Sequence, residues 1–238
     1  MEVIPAIDLR SGQVVRLHQG NYDQQTVFST DPVGIAKKFL LAGSPRLHIV
    51  DLDGAALGMP VNLETIERIA GEVNIPIQVG GGIRNVEMAL RLLKAGAQRI
   101  VFGTIAVECP ELVQESVDRC GKDAVIVGVD ARDGMVAVRG WKETTSVKTI
   151  ELIECMSKIG IERFIYTDIS RDGTLTSPNF QAVAEVINST NSAIIASGGV
   201  TSIEDLQHLA TLGVEGAIVG SAVYRGALDL EEAIVAFS

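Results

Sequence analysis

One ordered set of features occurs twice in this chain, and that recurrence limits its fold more than anything else in the sequence. Asp8 closes an apolar run that includes Ile4, Ala6 and Ile7; Asp130 closes a second run, 122 residues later. Gly81-Gly82-Ile83 is answered by Gly198-Gly199-Val200, and Gly103-Thr104 by Gly220-Ser221, each at a spacing of 117 residues. Three features in one order at nearly one spacing point to a duplicated half, with the halves at about residues 1–121 and 122–238.

Apolar runs of strand length occupy residues 3–7, 47–50, 76–79, 99–102, 125–129, 163–166, 193–196 and 216–219. Segments of helical period lie between them, with recognisable starts and stops. Asp31-Pro32 opens the first helix and Gly43 ends it. Asn62 is positioned to cap the next, although Thr65 is not the Glu or Gln of a capping box. Asn85 precedes a helix over 86–95, Pro110 opens one over 111–120, and Ser146 precedes one over 147–159. Ser202 with Asp205 caps 203–212, and helices over 179–188 and 229–237 complete the set. Eight strand–helix units predict an α/β fold of the (β/α)8 TIM-barrel type. A doubly wound open sheet has the same alternation but no need for internal symmetry. Two four-strand halves that close into one ring do need it. No Pro/Ser-rich linker or charge run divides the chain, so residues 1–238 are expected to share one core as a single domain.

The core must be aliphatic, because only 4% of residues are aromatic while 47% are hydrophobic. The net charge of −10 argues against a general nucleic-acid binder, which carries a basic face. Any phosphate must therefore be held locally, by backbone N–H groups and a few arginines. Cys109, Cys120 and Cys155 are scattered and lack CxxC spacing, as do His18, His48 and His208 for a metal. Reduced thiols, a cytoplasmic location and no metal site are the expectation. The chain starts on a strand-like run without a signal-peptide pattern, and no apolar stretch is long enough to span a membrane.

In a barrel, reactive groups gather where strands end. Asp8, Asp51, Asp130 and Asp168 all terminate apolar runs, with Asp53 and Asp172 just beyond. Asp is also a favoured turn residue, so any one of them could simply organise a loop. Asp8 and Asp130 stand at matching places in the two halves, which favours two carboxylates facing one pocket as general acid and base. The pairs Gly81-Gly82 and Gly198-Gly199 allow close backbone approach. Gly103-Thr104 and Gly220-Ser221 add a hydroxyl beside a helix N-terminus, a setting that binds phosphate. Phosphate sites on opposite sides of one mouth imply a bisphosphorylated ligand. Arg16, Arg84, Arg132 and Arg139 lie near these loops, although solvated surface arginine is the simpler reading of each. Trp141, the sole tryptophan, could stack on a planar heterocycle or pack under a loop. Thr167, Asp172 and Gly173 could contact a catalytic carboxylate or ligand hydroxyls. His48 reads as a satisfied core histidine. Residues 20–31 read as a long stretch able to act as a lid.

The motifs Ile4-Pro5-Ala6-Ile7-Asp8-Leu9-Arg10, Val50-Asp51-Leu52-Asp53-Gly54-Ala55 and Gln78-Val79-Gly80-Gly81-Gly82-Ile83-Arg84 together resemble the aldose–ketose isomerase family of histidine biosynthesis. Tyr166-Thr167-Asp168-Ile169-Ser170-Arg171-Asp172-Gly173-Thr174, Ala196-Ser197-Gly198-Gly199-Val200 and Val219-Gly220-Ser221-Ala222 extend the resemblance over nearly the whole chain. The resemblance implies a barrel of two homologous halves and an Amadori rearrangement without metal or organic cofactor. It maps the base onto Asp8 and the acid onto Asp130, with Asp172 competing for the acid role. The related cyclase usually opens with Cys-Leu-Asp-Val-Lys, and here Ala6-Ile7-Asp8-Leu9-Arg10 favours the isomerase. A relative that also isomerises phosphoribosyl anthranilate shares these motifs. A non-catalytic phosphometabolite-binding barrel is disfavoured, since holding phosphate needs neither central carboxylate. The expected partner is a bisphosphorylated small molecule, and the expected oligomeric state is a monomer.

Overall fold

The structure is a computed structural model that describes residues 1–237. Its strands are β1 (Glu2–Arg10), β2 (Gln13–His18), β3 (Asn21–Ser29), β4 (Leu47–Asp51), β5 (Ile77–Gly80), β6 (Arg99–Phe102), β7 (Val125–Arg132), β8 (Met135–Val138), β9 (Glu143–Lys148), β10 (Arg163–Asp168), β11 (Ala193–Ser197) and β12 (Gly216–Val219). Eight of them pair in parallel in the order β1-β4-β5-β6-β7-β10-β11-β12, and β12 returns to β1. The sheet is therefore a closed barrel with helices between its strands, as the eight-unit count requires.

The helices are α1 (Pro32–Leu41), α2 (Leu52–Leu57), α3 (Leu63–Glu72), α4 (Val86–Lys94), α5 (Thr104–Glu108), α6 (Pro110–Cys120), α7 (Thr149–Lys158), α8 (Phe180–Asn188), α9 (Ile203–Leu212), α10 (Ser221–Tyr224) and α11 (Leu230–Val235). Asp31, Asn85, Asn179, Ser202 and Asp229 each accept a first-turn backbone N–H, which satisfies donors that a helix start leaves open. Asn62 makes no such cap. Its amide instead donates to Asp51 Oδ1 at 2.7 Å and Asp53 Oδ2 at 2.9 Å. The helix expected over 147–159 begins at Thr149, because Ser146 and Val147 belong to β9.

Within residues 20–31, Asn21–Ser29 form β3, which runs antiparallel to β2. Two hairpin extensions, β2–β3 on β1 and β8–β9 on β7, thus rise from opposite sides of the mouth. Ser11-Gly12 and Asp133-Gly134 are two-residue links with positive φ at both positions, the turn whose twist matches paired strands.

Side chains alternate along each strand, and this alternation divides the core in two. Ile4, Ala6, Ile126, Ile165, Ile195 and Ile218 fill the barrel interior. The opposite faces, including Val3, Ile7, Val125, Val127 and Phe164, pack under the helices.

Candidate active site

The interior face that carries Ile4 and Ala6 reaches Asp8 two residues later, and Ile126 leads through Gly128 to Asp130 in the same way. Ala6, Asp8, Gly128 and Asp130 accordingly line one cavity at the mouth. β1 and β7 are four strands apart in the ring of eight, so the two carboxylates enter from opposite sides. Asp51 and Asp168 have the other parity and line neither cavity. Asp51 is fully buried and accepts from Gly54 N, Val61 N, Asn62 N and Asn62 Nδ2 at 2.6–2.8 Å. Asp168 accepts from Ser170 N, Ser170 Oγ and Asn179 Nδ2 at 2.6–2.9 Å. For these two the loop-organising role holds, because their oxygens are committed to neighbouring backbone and amides.

Asp8 bonds Arg16 Nη1 at 2.9 Å. Arg16 is not a solvated loop arginine: it is buried on β2, with its guanidinium over Gly220. A Cβ on Gly220 would overlap that guanidinium, so glycine is what admits it. Burial is the largest influence on Asp8 and lifts its pKa to about 6, against the opposing pull of Arg16. Asp130 is also pushed upward by burial, while hydrogen bonds from Trp141 and Thr167 restrain the rise. The Trp141 indole Nε1 donates to Asp130 Oδ2 at 2.8 Å, so in this structure the ring serves the carboxylate and packs over Gly20. Asp172 joins both cavities. It is itself raised by burial, and its charge raises the pKa of Asp8 and Asp130. A carboxyl that raises the pKa of two others, with one close guanidinium, suits a site where one group keeps its proton while another stays ionised.

Gly81, Gly82, Arg84, Gly103, Thr104, Trp141 and Thr167 line the main cavity. Gly173, Gly198, Gly199, Gly220 and Ser221 line a smaller one that shares Arg16 and Asp172 with it. The two glycine–hydroxyl turns have nearly the same shape: φ −104° and ψ −103° at Gly103, φ −129° and ψ −100° at Gly220. The double-glycine turns have a structural reason of their own. A Cβ at Gly81 or Gly82 would strike the backbone of Asp51 or Gly54, and one at Gly198 or Gly199 that of Asp168 or Ser177. Arg84 and Arg139 are both paired with Glu108, and Arg132 is exposed and outside both cavities.

His48 is buried as expected, yet its ring lines the main cavity. It hydrogen-bonds the Gln78 amide at 3.1 Å, and burial with Arg16 nearby lowers its pKa to about 3. It therefore offers a neutral imidazole to a ligand. The signal for it was parity: His48 shares a face with cavity-lining Val50. Tyr22, which also lines the cavity, carried no comparable signal before β3 was known.

Residues 2–229 match the family model described as "Histidine biosynthesis protein". A protein of Dehalococcoides mccartyi is 54% identical over 233 residues, covering 98% of each chain. One of Roseiflexus castenholzii is 50% identical over 237 residues, covering 100% of each. A third, from Gloeothece citriformis, is 52% identical over 240 residues, covering 99% of this chain and 93% of its own. All three bear the name 1-(5-phosphoribosyl)-5-((5-phosphoribosylamino)methylideneamino) imidazole-4-carboxamide isomerase. With a barrel of the expected topology and a match over nearly its whole length, this chain belongs to the histidine biosynthesis protein family.

Proposed function

We propose that this chain is an aldose–ketose isomerase of histidine biosynthesis that acts on the doubly phosphoribosylated imidazole carboxamide named for its relatives, with Asp8 as base and Asp130 as acid. The observation that carries this reading is the pair of carboxylates entering one cavity from opposite strands of the ring. Asp130 protonates the ribose ring oxygen. The ring C–O bond breaks as the amine lone pair forms a C=N bond, giving a protonated Schiff base. Asp8, held near Arg16, removes the C2′ proton, and the electrons of that bond form an enolamine. Return of a proton to C1′ and loss of the enol proton give the ketone. The substrate gains two protons and loses two, and its electron count is unchanged, so the sequence is an isomerisation that calls for no external oxidant or reductant.

The turns at Gly81–Gly82 with Gly103–Thr104, and at Gly198–Gly199 with Gly220–Ser221, are the proposed seats of the two phosphates. A phosphate beside Gly220 comes within the influence of Arg16 and competes with Asp8 for it, so the base strengthens as substrate arrives. His48 is the proposed donor or acceptor to the heterocycle. We also infer a monomeric cytoplasmic protein of one domain built from two alike halves. Its three unpaired cysteines suit a reducing compartment. Among the described residues, no helix is long and apolar enough to cross a membrane.

The test is incubation of the purified protein with the bisphosphorylated aminoaldose, without ammonia or a second protein. Formation of the aminoketose is expected. An absence of turnover would sink the assignment, and consumption of the aminoketose with ammonia instead would make the chain a cyclase.

A further inference from the structure

Glu108 ends α5 and lines neither cavity, yet its one carboxylate ties two loops to that helix. Its Oε2 takes Arg84 Nη1 at 2.8 Å from the loop after β5, and its Oε1 takes Arg139 Nε at 3.0 Å from the β8–β9 tip. Arg139 is held at two further points. Its Nη1 meets Glu143 Oε1 at 3.1 Å, and its backbone N–H donates to Thr104 Oγ1 at 2.8 Å.

The tip that Arg139 opens is wound against its preference. Arg139, Gly140 and Trp141 all have positive φ, at 56°, 65° and 66°, and two of the three carry side chains. L residues keep such a conformation only where their surroundings impose it. At the far end of the tip, Trp141 donates to Asp130 and lies on the Gly20 backbone. An isolated surface ion pair would contribute little, but a carboxylate shared by two arginines, with a backbone hydrogen bond alongside, forms a network.

We propose that Glu108 is a positioning residue: by fixing Arg139 it keeps the 139–141 tip wound and so holds the Trp141 indole on Asp130. The fluorescence arm of its test is independent of the mechanism proposed above, whereas its kinetic arm rests on Asp130 being the acid.

Trp141 is the only tryptophan, so the emission of the intact protein reports directly on this contact. In Glu108→Gln the emission should move to longer wavelength and acrylamide quenching should strengthen. With the tip loosened, kcat should fall by about tenfold at little change in melting temperature, as expected when a catalytic group loses its alignment. Arg139→Gln removes the other partner and should give the same spectral change, which covers the case of poor folding in the first variant. Glu143→Gln leaves the Glu108–Arg139 pair intact and should keep the wild-type emission. Wild-type emission and quenching in Glu108→Gln and Arg139→Gln would overturn the proposal whatever the kinetics. Near-wild-type kcat in Asp130→Asn would instead overturn the acid assignment and leave the fluorescence result standing.

Discussion

Arg16 connects two chemistries, since one guanidinium pairs with Asp8 and covers the Gly220 turn. Arg16 lowers the pKa of Asp8 against the larger effect of burial, so its loss must raise that pKa. A base works only when ionised, and the rising limb of kcat/KM against pH is expected near the Asp8 value of about 6. In Arg16→Met that limb should move to higher pH, read from its midpoint rather than from the rate. A limb that stays in place would detach Arg16 from the base. The same shift bears on stability. The folded pKa lies above the ordinary 3.8, so stability from the protonated form is complete below about 3.8 and is lost as pH rises through about 6. Asp8→Asn should flatten the melting temperature against pH across that window. An unchanged slope in thermal melts would mean that Asp8 does not carry it.

At the scale of elements, the strand ends separate by parity. Asp8 and Asp130 continue the interior faces of β1 and β7, whereas Asp51 and Asp168 lie on the outer faces of β4 and β10 and organise the loops that follow. Asp51→Ala strands several buried N–H groups and should cost about 3 kcal/mol, or roughly 6–12 °C in Tm for a domain of this size. A fall of under about 2 °C would contradict the role given to its four bonds. That division was already written in the sequence, because period two puts Ile4, Ala6 and Asp8 on one face and sets Val50 apart from Asp51. Asp8 and Asp130 stand apart by their matching places in the two halves; parity separates them from Asp51 and Asp168 as well, and it puts His48, read as core, on the cavity face with Val50. The hairpin extensions were legible too, in Ser11-Gly12 and above all Asp133-Gly134, a dipeptide that favours the observed turn. Without β2 the setting of Arg16 could not be foreseen, nor without the β8–β9 tip that of Trp141. The contacts of Arg16 with Gly220 and of Trp141 with Gly20 join residues distant in sequence, which no local pattern encodes.

At the scale of the molecule, a chain of net charge −10 is expected to grip a bisphosphorylated ligand at two local points on opposite sides of the mouth. Ser221→Asp and Thr104→Asp each put a like charge at one proposed phosphate seat, and each should raise KM. Raised KM in one variant alone would leave a single phosphate seat, and unchanged KM in both would move the ligand elsewhere. The barrel itself, its strand order and its paired glycine–hydroxyl turns follow from the recurrence along the chain, since eight alternating units leave few other closures. What distinguishes the two ends of the mouth is the asymmetry between them, with Trp141 on one extension and Arg16 on the other. The central claim is that carboxylates from opposite strands share the proton transfers of one isomerisation. Its most direct test is the single-turnover rate of Asp8→Asn and Asp130→Asn on the aminoaldose. A loss of at least about 10²-fold in each is predicted. A near-wild-type rate in Asp8→Asn would contradict the account, and one in Asp130→Asn would move the acid role to Asp172.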